Sequence, residues 1–221
     1  ATSGNNCTAV GKNALGTTID GAQNTAVGTG ALAADCGDNN TAVGSGALDV
    51  FTGSNATAIG KGAADAATTA TELTAIGYSA LGSCTEGLSN TAVGEGSFGT
   101  LTDGDHNCGL GGYAGYGTTG SRNTYLGHYA GVYASSTDDC IAIGKSALAG
   151  VSGDKVTGNY NIAIGNYTLD ATTSGNANVA IGYQTLTAVT TAAGNVAVGS
   201  SCGAALTGAT NTLIGHQAGY Y

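Results

Sequence analysis

Six cysteines, three histidines, fourteen acidic residues and eleven tyrosines are the side chains here whose types could do chemistry. They offer a disulfide framework, a metal site, a nucleophile with its base, or an aromatic patch for sugars. The cysteines are Cys7, Cys36, Cys84, Cys108, Cys140 and Cys202. None forms a C-x-x-C pair, so a zinc site has little support. Cys7, Cys108, Cys140 and Cys202 stand where the repeats described below carry Asn, Thr or Ala, so they read as buried small residues. Cys36 and Cys84 fall in variable stretches and are the candidates for a disulfide, within or between chains. The even count is compatible with an oxidising compartment.

Asp103-Gly104-Asp105-His106-Asn107 begins like a D-x-D-x-N calcium loop. Cys108 then stands where such a loop needs Gly, and Ala114 where it needs Glu, so the segment reads as a solvated loop. Asp138-Asp139 is the other acidic pair, read the same way, with a cation held between chains as the alternative. His106, His128 and His216 have no Ser or Cys partner in a nucleophile setting such as G-x-S-x-G. No catalytic constellation emerges. The expectation is a protein that is not an enzyme and carries no cofactor or metal.

Five tyrosines cluster between Tyr113 and Tyr133. Exposed rings at Tyr113, Tyr116, Tyr129 and Tyr133 would suit glycan contact, since aromatic faces stack on sugars. Gly115 and Gly131 replace Leu in the same repeats, so Tyr refilling the core is the reading adopted, with glycan contact as the alternative. Asn-x-Thr sequons begin at Asn6, Asn39, Asn55 and Asn166.

What must position these side chains is a repeat. The phrase N-T-A-[VI]-G-x-x-A-L recurs with its Gly at Gly11, Gly28, Gly44, Gly60, Gly77, Gly94, Gly111, Gly127, Gly144, Gly165, Gly182, Gly199 and Gly215. Spacings are 16 or 17 residues, except 21 between Gly144 and Gly165. Numbering columns from this Gly, position −1 is always aliphatic, −2 is Ala in ten of thirteen repeats, and −4 is Asn in nine. Position −3 is Thr in the early repeats and Ile or Val later, as at Ile141, Ile162, Val179 and Val196. Period-two alternation with β-branched residues predicts a short strand, −3 and −1 sharing one face and −2 pointing the other way.

The aliphatic −1 column is expected to be the core column, and the Ala column to meet a second sheet or a second chain. Gly at the anchor turns the chain. The Asn column either stacks its amides into a ladder or takes the left-handed conformation. Each coil is too small to bury its own apolar face, so neighbouring coils must cover it. The predicted fold class is all-β: one parallel β-solenoid over residues 1–221, of about thirteen 16–17-residue coils. At about 4.8 Å per coil, the expected rod is on the order of 60 Å long. Stretches 65–72 and 150–160 are expected to be displayed loops.

Composition narrows the partners. Gly supplies 40 of 221 residues and Pro none, which excludes collagen. Hydrophobic content of 42 % with 9 % charged residues is not a disordered composition. A net charge of −9 disfavours nucleic acid and anionic membranes. No run approaches the length of a membrane-spanning segment. With no Met and no visible secretory signal, the sequence reads as a processed chain or an excised segment.

The phrase, as in Asn24-Thr25-Ala26-Val27-Gly28, resembles the head repeats of trimeric autotransporter adhesins, the YadA-like heads. It is similar, more closely, to the N-T-A-V-G-x-x-A-L arrays of phage tail fibres. The resemblance covers residues 6–219. It implies a homotrimeric fibre of parallel coils, extracellular or on a cell surface or virion, with Ala26, Ala42, Ala92 and their column facing the axis. The period is longer than that of the adhesin heads. An adhesive or structural fibre is the expected function, with self as the partner and surface glycans as a further one. A self-assembling extracellular filament and an ice-binding solenoid are the alternatives. Ice binding would rest on the Thr column at Thr8, Thr25, Thr41, Thr57, Thr74 and Thr91, but that column turns to Ile and Val after residue 140 and shares the parity of the expected core.

Overall fold

The computed structural model describes residues 6–151 and 154–220 and contains strands and turns but no helix among them. The chain divides into two compact units, residues 1–107 and 108–221. In the first, the strands are β1 (Thr8–Val10), β2 (Thr25–Val27), β3 (Thr41–Val43), β4 (Thr57–Ile59), β5 (Thr74–Ile76) and β6 (Thr91–Val93). In the second they are β7 (Cys108–Leu110), β8 (Thr124–Leu126), β9 (Ile141–Ile143), β10 (Ile162–Ile164), β11 (Val179–Ile181), β12 (Val196–Val198) and β13 (Thr212–Ile214). Within each unit every strand pairs in parallel with the next, each column over itself, as in Thr25↔Thr41, Ala26↔Ala42 and Val27↔Val43. The expected β-solenoid is therefore present in both units.

Each strand lasts three residues because the anchor Gly ends it. All thirteen anchors have φ between 125° and 140°, a region closed to side chains. A Cβ on Gly28 would stand 2.5 Å from the Gly44 carbonyl oxygen and 2.6 Å from its carbon. The column is thus glycine for two independent reasons, backbone conformation and contact with the coil beside it.

The two faces are the reverse of the expectation. The middle residue of β2 through β12 is buried and its flanking residues are half-buried or exposed. Ala at −2 therefore lies inside the coil, and the aliphatic −1 column points out. The interior is built from Ala at −2, Ala at +3, Leu at +4 and a fourth column containing Phe51, Ala67, Cys84 and Leu101. A coil this narrow admits only a methyl group opposite the larger Leu and Phe, since interiors pack to crystal density.

Leu at +4 carries a second surprise, because Leu32, Leu48, Leu81 and Leu148 have φ between 47° and 54°. Left-handed backbone costs an L-residue roughly 1–2 kcal/mol. Full burial of Leu contributes about 1.5–3 kcal/mol, so burial offsets the backbone term. Where a large residue occupies −2, the +4 column turns to Gly. A Cβ on Gly131 would lie 2.8 Å from the Tyr125 ring, and one on Gly219 would lie 2.8 Å from Leu213.

The Asn column forms the ladder. Asn40 donates its Nδ2 to the carbonyls of Gly37 and Gly53, both at 3.1 Å, and its Oδ1 accepts the Ala56 N–H at 2.9 Å. Asn161, Asn178, Asn195 and Asn211 repeat the arrangement in the second unit. Each amide satisfies backbone groups of its own and the neighbouring coil that are buried from water. The left-handed residue sits one place earlier, at −5, as in Asn39 with φ 62°.

Residues 65–72 are not a displayed loop. Ala67 and Ala70 are fully buried, and Thr71 bridges Leu88 in parallel. The longest repeat does leave the coil: Val151 and Asp154 pair antiparallel, and Val156 rejoins by a parallel bridge to Ala134.

Candidate binding surfaces

Two surfaces stand out among the described residues. The first is the outward face of the sheet, made by columns −3 and −1. In the first unit it presents Thr25, Thr41, Thr57, Thr74 and Thr91 in register beside Val27, Val43, Ile59, Ile76 and Val93. From β9 to β12 of the second unit Ile141, Ile162, Val179 and Val196 replace Thr, so both columns become aliphatic there, while β7, β8 and β13 keep Cys108, Thr124 and Thr212. Ile59 is 40 % exposed, Leu110 51 % and Ile181 37 %. The −1 residues of the other strands from β2 to β12 are half-buried, and an apolar row turned outward in this way marks an interaction site.

The second surface is a groove of about 660 Å³ in the second unit, lined among others by Tyr129, Tyr133, Ser146, Tyr167, Asp170 and Thr187. The backbone excursion at Gly150 and Val151 forms part of its wall. Gly150 packs against Tyr133, where an added Cβ would come within 3.3 Å of the Tyr133 Cβ. Burial holds the Asp170 carboxyl above the usual carboxylate range. The Lys145 ammonium sits 5.5 Å from the Tyr167 ring centroid.

The tyrosines named from the sequence separate into three roles. Tyr125 is the core filler, fully buried with its hydroxyl 2.8 Å from Thr137 Oγ1. Tyr113 stacks on Tyr129 at 5.5 Å and meets Tyr116 edge-on at 5.6 Å. Tyr129 and Tyr133 line the groove. Tyr167 and Asp170 were missed. Sorting tyrosines by column would have found Tyr167, because Tyr113, Tyr129 and Tyr167 all stand at +2.

No family model, curated protein or solved structure matches this chain. Its functional reading therefore rests on the surfaces themselves.

The remaining candidates have structural partners. Cys36 and Cys84 are not loop cysteines. Both are buried in the interior as free thiols, which corrects the expected disulfide. Their separation in the fold follows from the register, which stacks each above other residue types. Cys140 and Cys202 are buried as anticipated, whereas Cys7 and Cys108 are half-buried. Burial pushes the thiols of Cys84 and Cys140 up to about 11. At pH 8 only about one in a thousand of either is thiolate. Iodoacetamide at that pH is expected to spare Cys84 and Cys140 in the folded chain and to label all six thiols in guanidinium without reductant. Mass spectrometry showing four labels in guanidinium would establish a disulfide instead.

Asp105 accepts the Leu88 N–H and Thr102 donates to Asp103, so the D-x-D-x-N segment is held by its own chain. Asp138 accepts the Ser121 N–H, and Asp139 forms a bidentate pair with Arg122 at 2.7 and 3.0 Å. His128 packs on Tyr129 at 4.0 Å; His106 and His216 are exposed. Among the described residues no group of three His, Cys, Asp or Glu side chains could hold a metal ion. The sequon residues Asn6, Asn39, Asn55 and Asn166 are exposed.

Proposed function

We propose that this chain is the shaft or head of an extracellular fibre in which three copies pack through their outward sheet faces, as in trimeric adhesins or phage tail fibres. One observation carries the reading: the apolar −1 column, with the aliphatic −3 residues of β9 to β12, faces out of the coil rather than into its interior. Burying those side chains against a second copy is worth about 25 cal/mol per Å². A parallel, in-register array suits an identical copy, because each column meets a matching column.

Charging the face tests this. The double variant Val43→Lys and Ile164→Lys places an ammonium in the middle of each unit's face. Light scattering is expected to report an assembly of three chains for the natural sequence and one chain for the variant, with the same circular dichroism. A natural sequence that is one chain at micromolar concentration overturns the trimer.

The Thr column of the first unit favours the ice-binding reading more than its parity implied, since it faces out. Its replacement by Ile and Val in the second unit breaks the hydroxyl lattice. Thermal hysteresis in the natural chain would favour ice over the fibre; its absence would remove that reading.

A further inference from the structure

The groove of the second unit lies on columns +2 to +7, away from the −3 and −1 columns of the sheet face, so its occupancy does not depend on whether those faces associate. Its volume of about 660 Å³ is in the range of small-ligand sites. Tyr133 is 39 % exposed and offers ring surface to a ligand, while Tyr129, stacked on Tyr113 and packed by His128, stiffens the wall beside it. Asp170 adds a carboxyl acceptor to the lining, and Thr187, also in the lining, donates its hydroxyl to the Ala204 carbonyl.

Charge selects among ligand classes. An anion meets the Asp170 carboxylate and a chain of net charge −9. An organic cation would suit tyrosines with a carboxylate, but the Lys145 ammonium already sits over Tyr167 at 5.5 Å and repels a second positive charge. A neutral ligand is left, and tyrosine rings together with the Asp170 carboxyl suit one with both apolar faces and hydroxyls to donate. Pyranose rings have that chemistry: axial C–H groups for the tyrosine faces and hydroxyls to donate to the carboxylate. Gly150 of the 21-residue repeat forms part of the wall, and a Cβ there would meet Val156 Cγ2 at 2.8 Å and the Tyr133 Cβ at 3.3 Å.

We infer that the groove bounded by Tyr129, Tyr133, Tyr167 and Asp170 binds a neutral oligosaccharide, with Tyr133 as a stacking platform and Asp170 as hydroxyl acceptor. Tyr113 and Tyr116 lie outside it and pack on each other.

Saturation-transfer NMR of the full chain with cellotriose, maltotriose and chitotriose at millimolar concentration tests the assignment. At least one trisaccharide is expected to bind saturably. Tyr133→Ala and Asp170→Asn are each expected to weaken it about tenfold, while Tyr78→Ala, an exposed tyrosine of the first unit, leaves it unchanged. If Tyr133→Ala loses its native circular dichroism, Asp170→Asn alone carries the test. No saturable binding by any of the three, binding indifferent to Asp170→Asn, or preferential binding of tetramethylammonium would each overturn the inference. None of these results depends on the oligomeric state, so they are separable from a failure of the fibre reading.

Discussion

Replacing Gly77 with alanine is expected to cost the fold about 3 kcal/mol or more. Gly77 has φ +137°, and a Cβ there would stand 2.5 Å from the Gly94 carbonyl oxygen and 2.6 Å from its carbon. The neighbouring backbone cannot retreat, because the Gly77 N–H bonds the Ile59 carbonyl at 2.7 Å and the Gly94 N–H bonds Ile76 at 2.7 Å. Each coil is thereby held between two others. Gly46 is the matched control: its φ is +69°, and an added Cβ meets nothing within 4 Å. Gly46→Ala carries only the left-handed term of about 1 kcal/mol. For a chain of this length the expected fall in Tm is about 6–12 °C for Gly77→Ala and about 2–4 °C for Gly46→Ala. Thermal melts followed by circular dichroism check this. Equal losses at the two positions would mean that close stacking of the glycine column is not what constrains it.

Tyr125→Ala is the second large effect, at about 3–5 kcal/mol. The substitution removes a fully buried ring and its hydrogen bond to Thr137. Gly131→Leu alone is also destabilising, since its side chain would enter the space held by the Tyr125 ring. Together the two changes restore the Ala and Leu pairing of coils such as Ala42 with Leu48. The double variant should therefore recover most of the loss, a coupling of about 2 kcal/mol or more. Urea melts of the four proteins measure it. Additive losses would show that Tyr125 and Gly131 do not share one volume.

That compensation was half-legible in the sequence. Gly131 in place of Leu implied that tyrosine refills the core, and Tyr125 does. The same reasoning could not tell Tyr125 from Tyr129, because both lie in one repeat and only their columns differ. Asp170 gave no signal at all: its place beside Tyr133 depends on the excursion at Gly150, which brings together residues from separate coils. The cysteines failed for a related reason. Cys36 and Cys84 stand in variable stretches, and variability reads as exposure in a sequence, whereas both positions are interior and vary to fit their neighbours.

The repeat by itself determined the three-residue strands, the parallel like-over-like register and the glycine corners, because each is a local demand on backbone and period. It left open which side of the strand is inside. Alternation in Thr-Ala-Val reports parity only, and the more hydrophobic Val was the natural choice for the core. Tertiary structure decided otherwise, since the space within one coil is filled by Leu and Phe from elsewhere in the turn and leaves room at the strand for a methyl group alone. That steric limit turned the valines and isoleucines outward, and it is the origin of the surface on which the proposed assembly depends.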